Sequence, residues 1–262
     1  MAAPIIFDRK LYAARRLKAA HRGTKSFLAQ QTAEVLVERL TGLERRFGGA
    51  LDLGSRADSF VLLAPCADHW VRTFPVAGET GASVVADEEA LPFAPGRFDL
   101  VVSVLALHAV NDLPGTLVQI RRALAPDGLF LAALFGGSTL AELRRAFAAG
   151  ESEKMGGASP RVAPLTDVRD AGALLQRAGF AMPVADAERV NVRYRSLDSL
   201  VKDLRDLGET NALMQRRKSA LSRRVLEAAR VHYMEQDGEP DGRLRATFDI
   251  LYVTGWGERA DH

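Results

Sequence analysis

Apolar residues recur near a 3.6-residue period from Leu28 to Phe47 (Leu28, Val35, Leu36, Leu40, Leu43, Phe47), which predicts an amphipathic helix stopped by Gly48 and Gly49. The short apolar run Ala50–Leu53 predicts a strand, broken into a turn at Gly54. Ser59–Ala64 fits either a short helix or a strand. Trp70–Val76 reads as an edge-like second strand and Val84–Ala86 as a third. Phe98–Val104 is unbroken and β-rich with no polar alternation, the pattern of a strand covered on both faces in a parallel sheet. Asp112–Ala125 returns to helical spacing, Pro126-Asp127-Gly128 makes a turn, and Leu129–Phe135 is another buried strand.

Beyond that point Thr139–Phe147 predicts a helix, with Thr139 and Glu142 at capping-box spacing. Residues 150–164, rich in Gly, Ser and Pro, read as a mobile loop. Thr166–Ala178 predicts a helix closed by Gly179, and Ala185–Val192 a strand. Ser196–Leu207 and Ala212–Met234 read as helices, and Leu244–Trp256 alternates partly, as an edge strand does. The repeated strand–helix order predicts an α/β fold with a Rossmann-like doubly wound sheet. It divides the chain into N-terminal helices (1–47), a core (48–195), a basic helical insertion or cap (196–243), and a final core strand with the C-terminus (244–262).

The 262 residues and 47% hydrophobic content suffice for one such core and exclude wholesale disorder. A single cysteine, Cys66, excludes an internal disulfide and a Cys-rich metal cluster. No window reaches the apolar length of a membrane span, and no signal-peptide pattern is present. The expected location is therefore cytoplasmic, with peripheral contact to the inner membrane left open. Net charge is only +2, which gives no support to nucleic-acid binding. Its distribution is uneven. Residues 1–33 hold seven Lys or Arg against Asp8 alone, and residues 189–230 hold eleven against five acids. Either these are solvated helix faces or they form a basic partner-facing or membrane-facing surface, with Arg15, Arg16 and Lys18 on its N-terminal part.

Ligands of open parallel sheets bind at the carboxyl ends of the strands. Three such ends carry candidate chemistry. Asp52 and Gly54 form a tight turn that backbone could bring close to a ligand, Asp87 and Glu88 could accept hydrogen bonds from an amine or hydroxyls, and Ser103 and His108 could wall a pocket. The histidines His21, His69, His108, His232 and His262 show no metal-ligand spacing, so no metal site is expected. Nucleophile-elbow and phosphate-loop motifs are absent.

Several stretches are more specific. They are Phe7-Asp8-Arg9, Ala86 to Phe93 (ADEEALPF), Phe98 to Ser103 (FDLVVS), Leu107 to Pro114 (LHAVNDLP), Pro126-Asp127-Gly128, Phe135 to Arg144 (FGGSTLAELR), Arg177 to Phe180 (RAGF) and Asp203 to Asn211 (DLRDLGETN). Through them the chain resembles class I S-adenosylmethionine-dependent methyltransferases and, within that fold, the family of mitochondrial complex I assembly factor 5, an arginine hydroxylase family, with its proteobacterial relatives. The resemblance implies a seven-stranded sheet with an antiparallel last strand and a helical insertion. It implies S-adenosylmethionine as cofactor, held by Asp52, Gly54, Asp87, Glu88 and Ser103, with His108 as the catalytic candidate that orients or deprotonates an acceptor. It also implies a protein partner, a quinone-site subunit of respiratory complex I.

The chain departs from the family pattern at three places. Arg56 and Asp58 stand where the cofactor loop has further glycines, so their side chains are expected to fill space that backbone should leave to the cofactor. The acid expected at the end of the second strand is missing among Arg72, Thr73, Phe74 and Pro75, and Ala109 replaces a tryptophan. Two readings stay open: a methyltransferase-like enzyme acting on a protein partner, and a noncatalytic assembly protein with a degenerate cofactor site.

Overall fold

The computed structural model describes residues 4–79, 81 and 83–258; His262 lies outside them. Seven strands form one sheet: β1 (Phe47–Leu53), β2 (Ala67–Phe74), β3 (Val84–Val85), β4 (Phe98–Val104), β5 (Leu124–Phe135), β6 (Ala181–Tyr194) and β7 (Leu244–Trp256). Their order is β3-β2-β1-β4-β5-β7-β6. β1 pairs in parallel with β2 and β4, and β4 with β5, whereas β7 runs antiparallel between β5 and β6. The switch point of the sheet therefore falls beside β1 and β4, whose carboxyl ends open on the same side.

Helices cover both faces. On one, α2 (Phe27–Thr41) places Leu28, Leu36 and Leu40 against Leu100, Val102 and Leu131. α5 (Ala141–Met155), α7 (Leu197–Leu207) and α8 (Arg223–Asp237) extend that layer over β7 through Leu143, Phe147, Leu200, Leu204, Val225 and Tyr233. On the other face α4 (Leu113–Ala123) and α6 (Val168–Arg177) set Leu117, Ile120 and Leu175 against Leu51, Val101, Phe130 and Val253. The alternate residues of each central strand thus feed two separate cores, which is why these strands read as unbroken apolar runs. α1 (Arg9–His21) lies at the carboxyl ends of the strands, and α3 (Ala57–Leu63) follows β1. Side-chain caps fix the helix starts: Asp8 for α1, Ser26 for α2, Asp112 for α4, Asp167 for α6 and Ser222 for α8 accept from backbone amides, and Ser196 caps α7.

Several expectations need correction. Phe47 is the first residue of β1, not the last of a helix; it is buried in the sheet, and Gly48 and Gly49 are strand residues whose amides donate to Asp99 Oδ2. The ambiguous Ser59–Ala64 stretch is helical. Neither β2 nor β7 is an edge: β3 covers β2, and β7 is buried between β5 and β6, leaving the long, half-exposed β6 at the margin. The Thr139–Glu142 capping box does not form, because Thr139 is tied to the backbone of Asp249 and Glu142 to Thr247 across the sheet. The predicted loop shortens at its start, since α5 runs on to Met155. Residues 212–222 are irregular rather than helical, and α8 begins only at Arg223. The Pro126-Asp127-Gly128 turn survives as a bulge inside β5, where Phe98 pairs with Leu124 but Leu100 with Leu129.

Candidate functional site

The motif stretches converge on the N-terminal segment. Asn111 Oδ1 accepts from the amides of Ile6 (2.8 Å) and Phe7 (2.7 Å), and Asn111 Nδ2 donates to Phe7 O. Glu89 Oε1 accepts from the amides of Asn111 and Asp112, fixing one motif against another. From the opposite side, Asp8 N donates to Ala212 O, Met214 N donates to Ile6 O, and Arg216 pairs with Asp8. Residues 6–9 are therefore clasped between the loop after β4 and the segment after α7, and this clasp aims α1 across the strand ends.

Two regions result. The first surrounds the turn after β1. Asp52, Gly54, Glu88 and Ser103 gather here, but with protein partners. Asp52 is fully buried and accepts from Arg72 Nε at 3.0 Å and from Ser55 N at 3.2 Å. Burial raises its carboxyl above the ordinary range, against the opposing pull of Arg72. Gly54 has φ +68, and a Cβ there would stand 2.5 Å from Glu88 Oε1. Glu88, 1% exposed, pairs with Arg9, which also takes Asp87 Oδ1 at 2.9 Å and donates to Ala109 O at 3.0 Å. Asp87 remains partly exposed beside it. Ser103 Oγ donates to Leu53 O at 2.8 Å, and Ser55 Oγ accepts from Val104 N, so both hydroxyls staple β1 to β4.

Arg16 is the unexpected member. It is 2% exposed, donates to Gly54 O, and lies over the rings of Tyr12 and Phe74 at 5.7 and 5.5 Å. It therefore cannot belong to an outer Arg15–Arg16–Lys18 surface. Glu79, carried in by the loop after β2, is buried and faces Arg16 and Arg72; burial raises its carboxyl. The acid missing from the end of β2 thus has a buried neighbour five residues past that strand, which strand-end reasoning could not find. Arg56 and Asp58 do not fill the turn as expected. Arg56 points to Thr24 O (2.8 Å) and Asp206 O (3.0 Å), and Asp58 accepts from Ser26 N, so this pair joins the α1–α2 link to α7.

The second region is a cavity of about 510 Å³ bounded by α1, α5, α7 and the ends of β5 and β7. Phe135, Leu143, Phe147, Leu204 and Phe248 line its apolar part. Lys18, Arg22 and Arg205 contribute basic groups. On its wall His108, in the single helical turn Leu107–Ala109, meets Glu209: His108 Nε2 donates to Glu209 Oε2 at 2.9 Å, and Tyr12 OH donates to Glu209 Oε1 at 2.8 Å. His108 Nδ1 is buried with no partner, and its ring packs edge-on to Phe135 at 4.8 Å. Burial pushes the Tyr12 phenol well above its usual value, and Glu209 pushes the same way. Burial would also raise Glu209, but His108, Arg16 and Tyr12 outweigh it and hold this carboxyl below the usual glutamate range. Gly208 makes the approach: at φ +89 it ends α7, and a Cβ there would sit 3.1 Å from Arg16 Cα. The one signal for Glu209 in the sequence was its place in the Asp203–Asn211 motif.

A methyltransferase-domain family matches residues 67–132. The human mitochondrial arginine-hydroxylase NDUFAF5 is 38% identical over 96% of this chain and 76% of its own length. The chain belongs to the NDUFAF5 family. The zebrafish (Danio rerio) NDUFAF5 is 37% identical over 88% of this chain and 75% of its own. A malonyl-[acyl-carrier protein] O-methyltransferase of Halorhodospira halophila is 33% identical over 89% of this chain and 84% of that protein. Among solved structures, the YcgJ protein of Bacillus subtilis superposes with a TM-score of 0.58 at 13% identity, covering 88% of this chain and 99% of that one, a likeness of fold. The fold is thus the class I methyltransferase fold. Fold and family support a Rossmann-like S-adenosylmethionine site in general, and in such sheets ligands lie at the carboxyl ends of the strands. The residues present do not fit that cofactor as they stand. The Glu88 carboxylate abuts Gly54 and fills the space left by its missing Cβ, and Arg16 occupies the Gly54 carbonyl. Among the described buried side-chain atoms around the turn, Arg9 Nε, Arg16 Nη1, Ser59 Oγ, Glu79 Oε2 and Glu88 Oε1 lack a hydrogen-bond partner. Arg9, Arg16 and Glu88 are each already tied to another protein group through their other polar atoms, so a ribose, an amine or an amino-acid group would compete with those pairs.

Proposed function

We propose that this chain serves respiratory complex I assembly by receiving an arginine side chain of a protein partner, a quinone-site subunit, in the cavity between α1, α5 and α7. The observation that supports this reading is Glu209. It is a buried carboxylate on the cavity wall, oriented by Tyr12 and His108 and held below the usual pKa range. A carboxylate has about four lone-pair sites. Two are used here, and the remaining two suit the parallel N–H groups of a guanidinium. Arginine is the residue named in the activity of the NDUFAF5 relatives. His108 orients Glu209 through Nε2. Hydroxylation of that arginine inserts oxygen and calls for an oxidant that side chains alone do not supply. A second reading, assembly by binding without chemistry, is favoured by the ion pairs that fill the cofactor position.

The protein acts in the cytoplasm in this reading, with the exposed Arg217, Lys218, Arg223 and Arg224 as its peripheral contact toward the membrane-bound complex. No helix among the described residues is long and apolar enough to cross a membrane. Fluorescence anisotropy with a labelled arginine-containing peptide of the quinone-site subunit tests the proposal. Saturable binding should weaken at least tenfold when the arginine is replaced by citrulline, which keeps the shape but loses the charge, and equally in Glu209→Gln. Binding indifferent to both changes would refute it.

A further inference from the structure

We infer that the chain has replaced the methyl-donor cofactor with its own side chains, so that the NDUFAF5-type cavity is kept while the S-adenosylmethionine position is sealed. Four groups do this. Glu88 reaches the turn glycine from the loop after β3, and Arg9 neutralises it from the start of α1. Arg16, two turns along α1, closes over the Gly54 carbonyl. Arg72 turns inward from β2 onto Asp52, lies over the Phe60 ring at 3.9 Å, and passes so near Gly81 that a Cβ there would stand 2.6 Å from its Nη1.

Charge tells the same story. Asp52, Glu79 and Glu88 face Arg9, Arg16 and Arg72, so each buried carboxylate already has a guanidinium in range. S-adenosylmethionine bears a sulfonium, an ammonium and one carboxylate, a net cation. To take Asp52 or the paired oxygen of Glu88 it would have to drive an arginine off its partner and leave that charge buried. Gly54 itself changes meaning. In a cofactor loop its missing Cβ makes room for a ligand, whereas here it makes room for Glu88. The positions that distinguish this chain from a cofactor-binding one are then Arg16, Arg72 and Glu88, rather than Arg56 and Asp58, whose side chains point to the α1–α2 link and α7.

The inference is independent of whether the cavity takes arginine, and its test uses no partner. The full chain is titrated by calorimetry with S-adenosylmethionine and with S-adenosylhomocysteine up to ~1 mM, a ceiling that would still register weak affinity. Hydrogen exchange of residues 9–21 and 52–56 is followed in parallel. The wild-type protein should show neither heat nor altered exchange. The double variant Arg16→Met/Glu88→Ala, checked for folding by circular dichroism and melting, should gain S-adenosylhomocysteine binding at least tenfold above the wild-type limit. Wild-type binding below ~1 mM, or protection of residues 52–56 by either ligand, overturns the inference. So does a folded double variant that stays inert. If the double variant does not fold, the wild-type titration decides alone.

Discussion

The two regions at the carboxyl ends of the strands share a sheet edge and a helix, yet they are opposites. Around Gly54 the protein turns charged groups on one another and on its own backbone: Arg9 on Glu88, Arg72 on Asp52, Arg16 on a backbone carbonyl. Around Glu209 it orients a carboxylate with two donors and leaves about 510 Å³ of space before it. Tyr12 and Arg16 lie one turn apart on one face of α1 and join the two regions: Tyr12 holds Glu209, while Arg16 caps the Gly54 carbonyl and also lowers the Glu209 pKa. The contrast is between a turn whose charged side chains face one another and a cavity whose wall presents an oriented carboxylate to open space.

The comparison breaks first at Arg72. Replacing it with leucine leaves the Asp52 carboxylate buried without its guanidinium, and stability to urea should fall by about 3–5 kcal/mol. The loss should depend on pH. The folded-state pKa of Asp52 already lies above its ordinary value, so its charged form opposes folding, and removing Arg72 raises that pKa further. Stability of Arg72→Leu should therefore recover as pH falls from 7 toward the acid side, and a flat profile would contradict the pairing. Next comes Gly54→Ala. The positive φ and the contact with Glu88 should together cost about 2–3 kcal/mol in thermal melting. The same change in an Glu88→Ala background should cost less, since the carboxylate that the new methyl would strike is gone. Equal costs in both backgrounds would mean that Glu88 does not press on the turn.

At the cavity the effects should be smaller in stability and larger in binding. Glu209→Gln should weaken capture of an arginine peptide at least tenfold, about 1.4 kcal/mol. Glu209 has a folded pKa below its unfolded one, so the stability it contributes is complete above the ordinary value of 4.5 and is lost as pH falls through the folded value. Urea midpoints of the wild type and Glu209→Gln should accordingly converge on acidification. Smallest of all, reversing Arg217, Lys218, Arg223 and Arg224 to glutamate should leave the unfolding free energy within about 0.5 kcal/mol of wild type, because these side chains are exposed. It should reduce association with an acidic partner in a salt-dependent way. Salt-independent association would show that stretch to be only a solvated face.

The sheet was legible because hydrophobic periodicity is set by covering layers. Phe98–Val104 and Leu244–Trp256 match the observed strands residue for residue. Where the same apolar residue could end a helix or begin a strand, as at Phe47, periodicity alone gave no means of choosing, and the sheet register decided. The irregular run 212–222 was misread because its apolar residues, Ala212 and Leu213, are buried by the N-terminal segment rather than along a helix face.

By itself the sequence determined the α/β order, the family and the set of strand ends at which a site could lie, because these follow from local patterns and contiguous motifs. It also marked the cofactor turn as altered. Only the tertiary structure decided which residues alter it. Arg9 and Arg16 come from a helix that sequence reading assigned to a basic surface, Glu88 from a loop 34 residues beyond Gly54, and Glu209 from the end of a helix after the sixth strand. Their meeting depends on Asn111 and Ala212 clasping residues 6–8 and on Gly208 letting two helices touch. Charges so distant along the chain select each other only once the core has brought them out of water, where an unpaired guanidinium or carboxylate is costly.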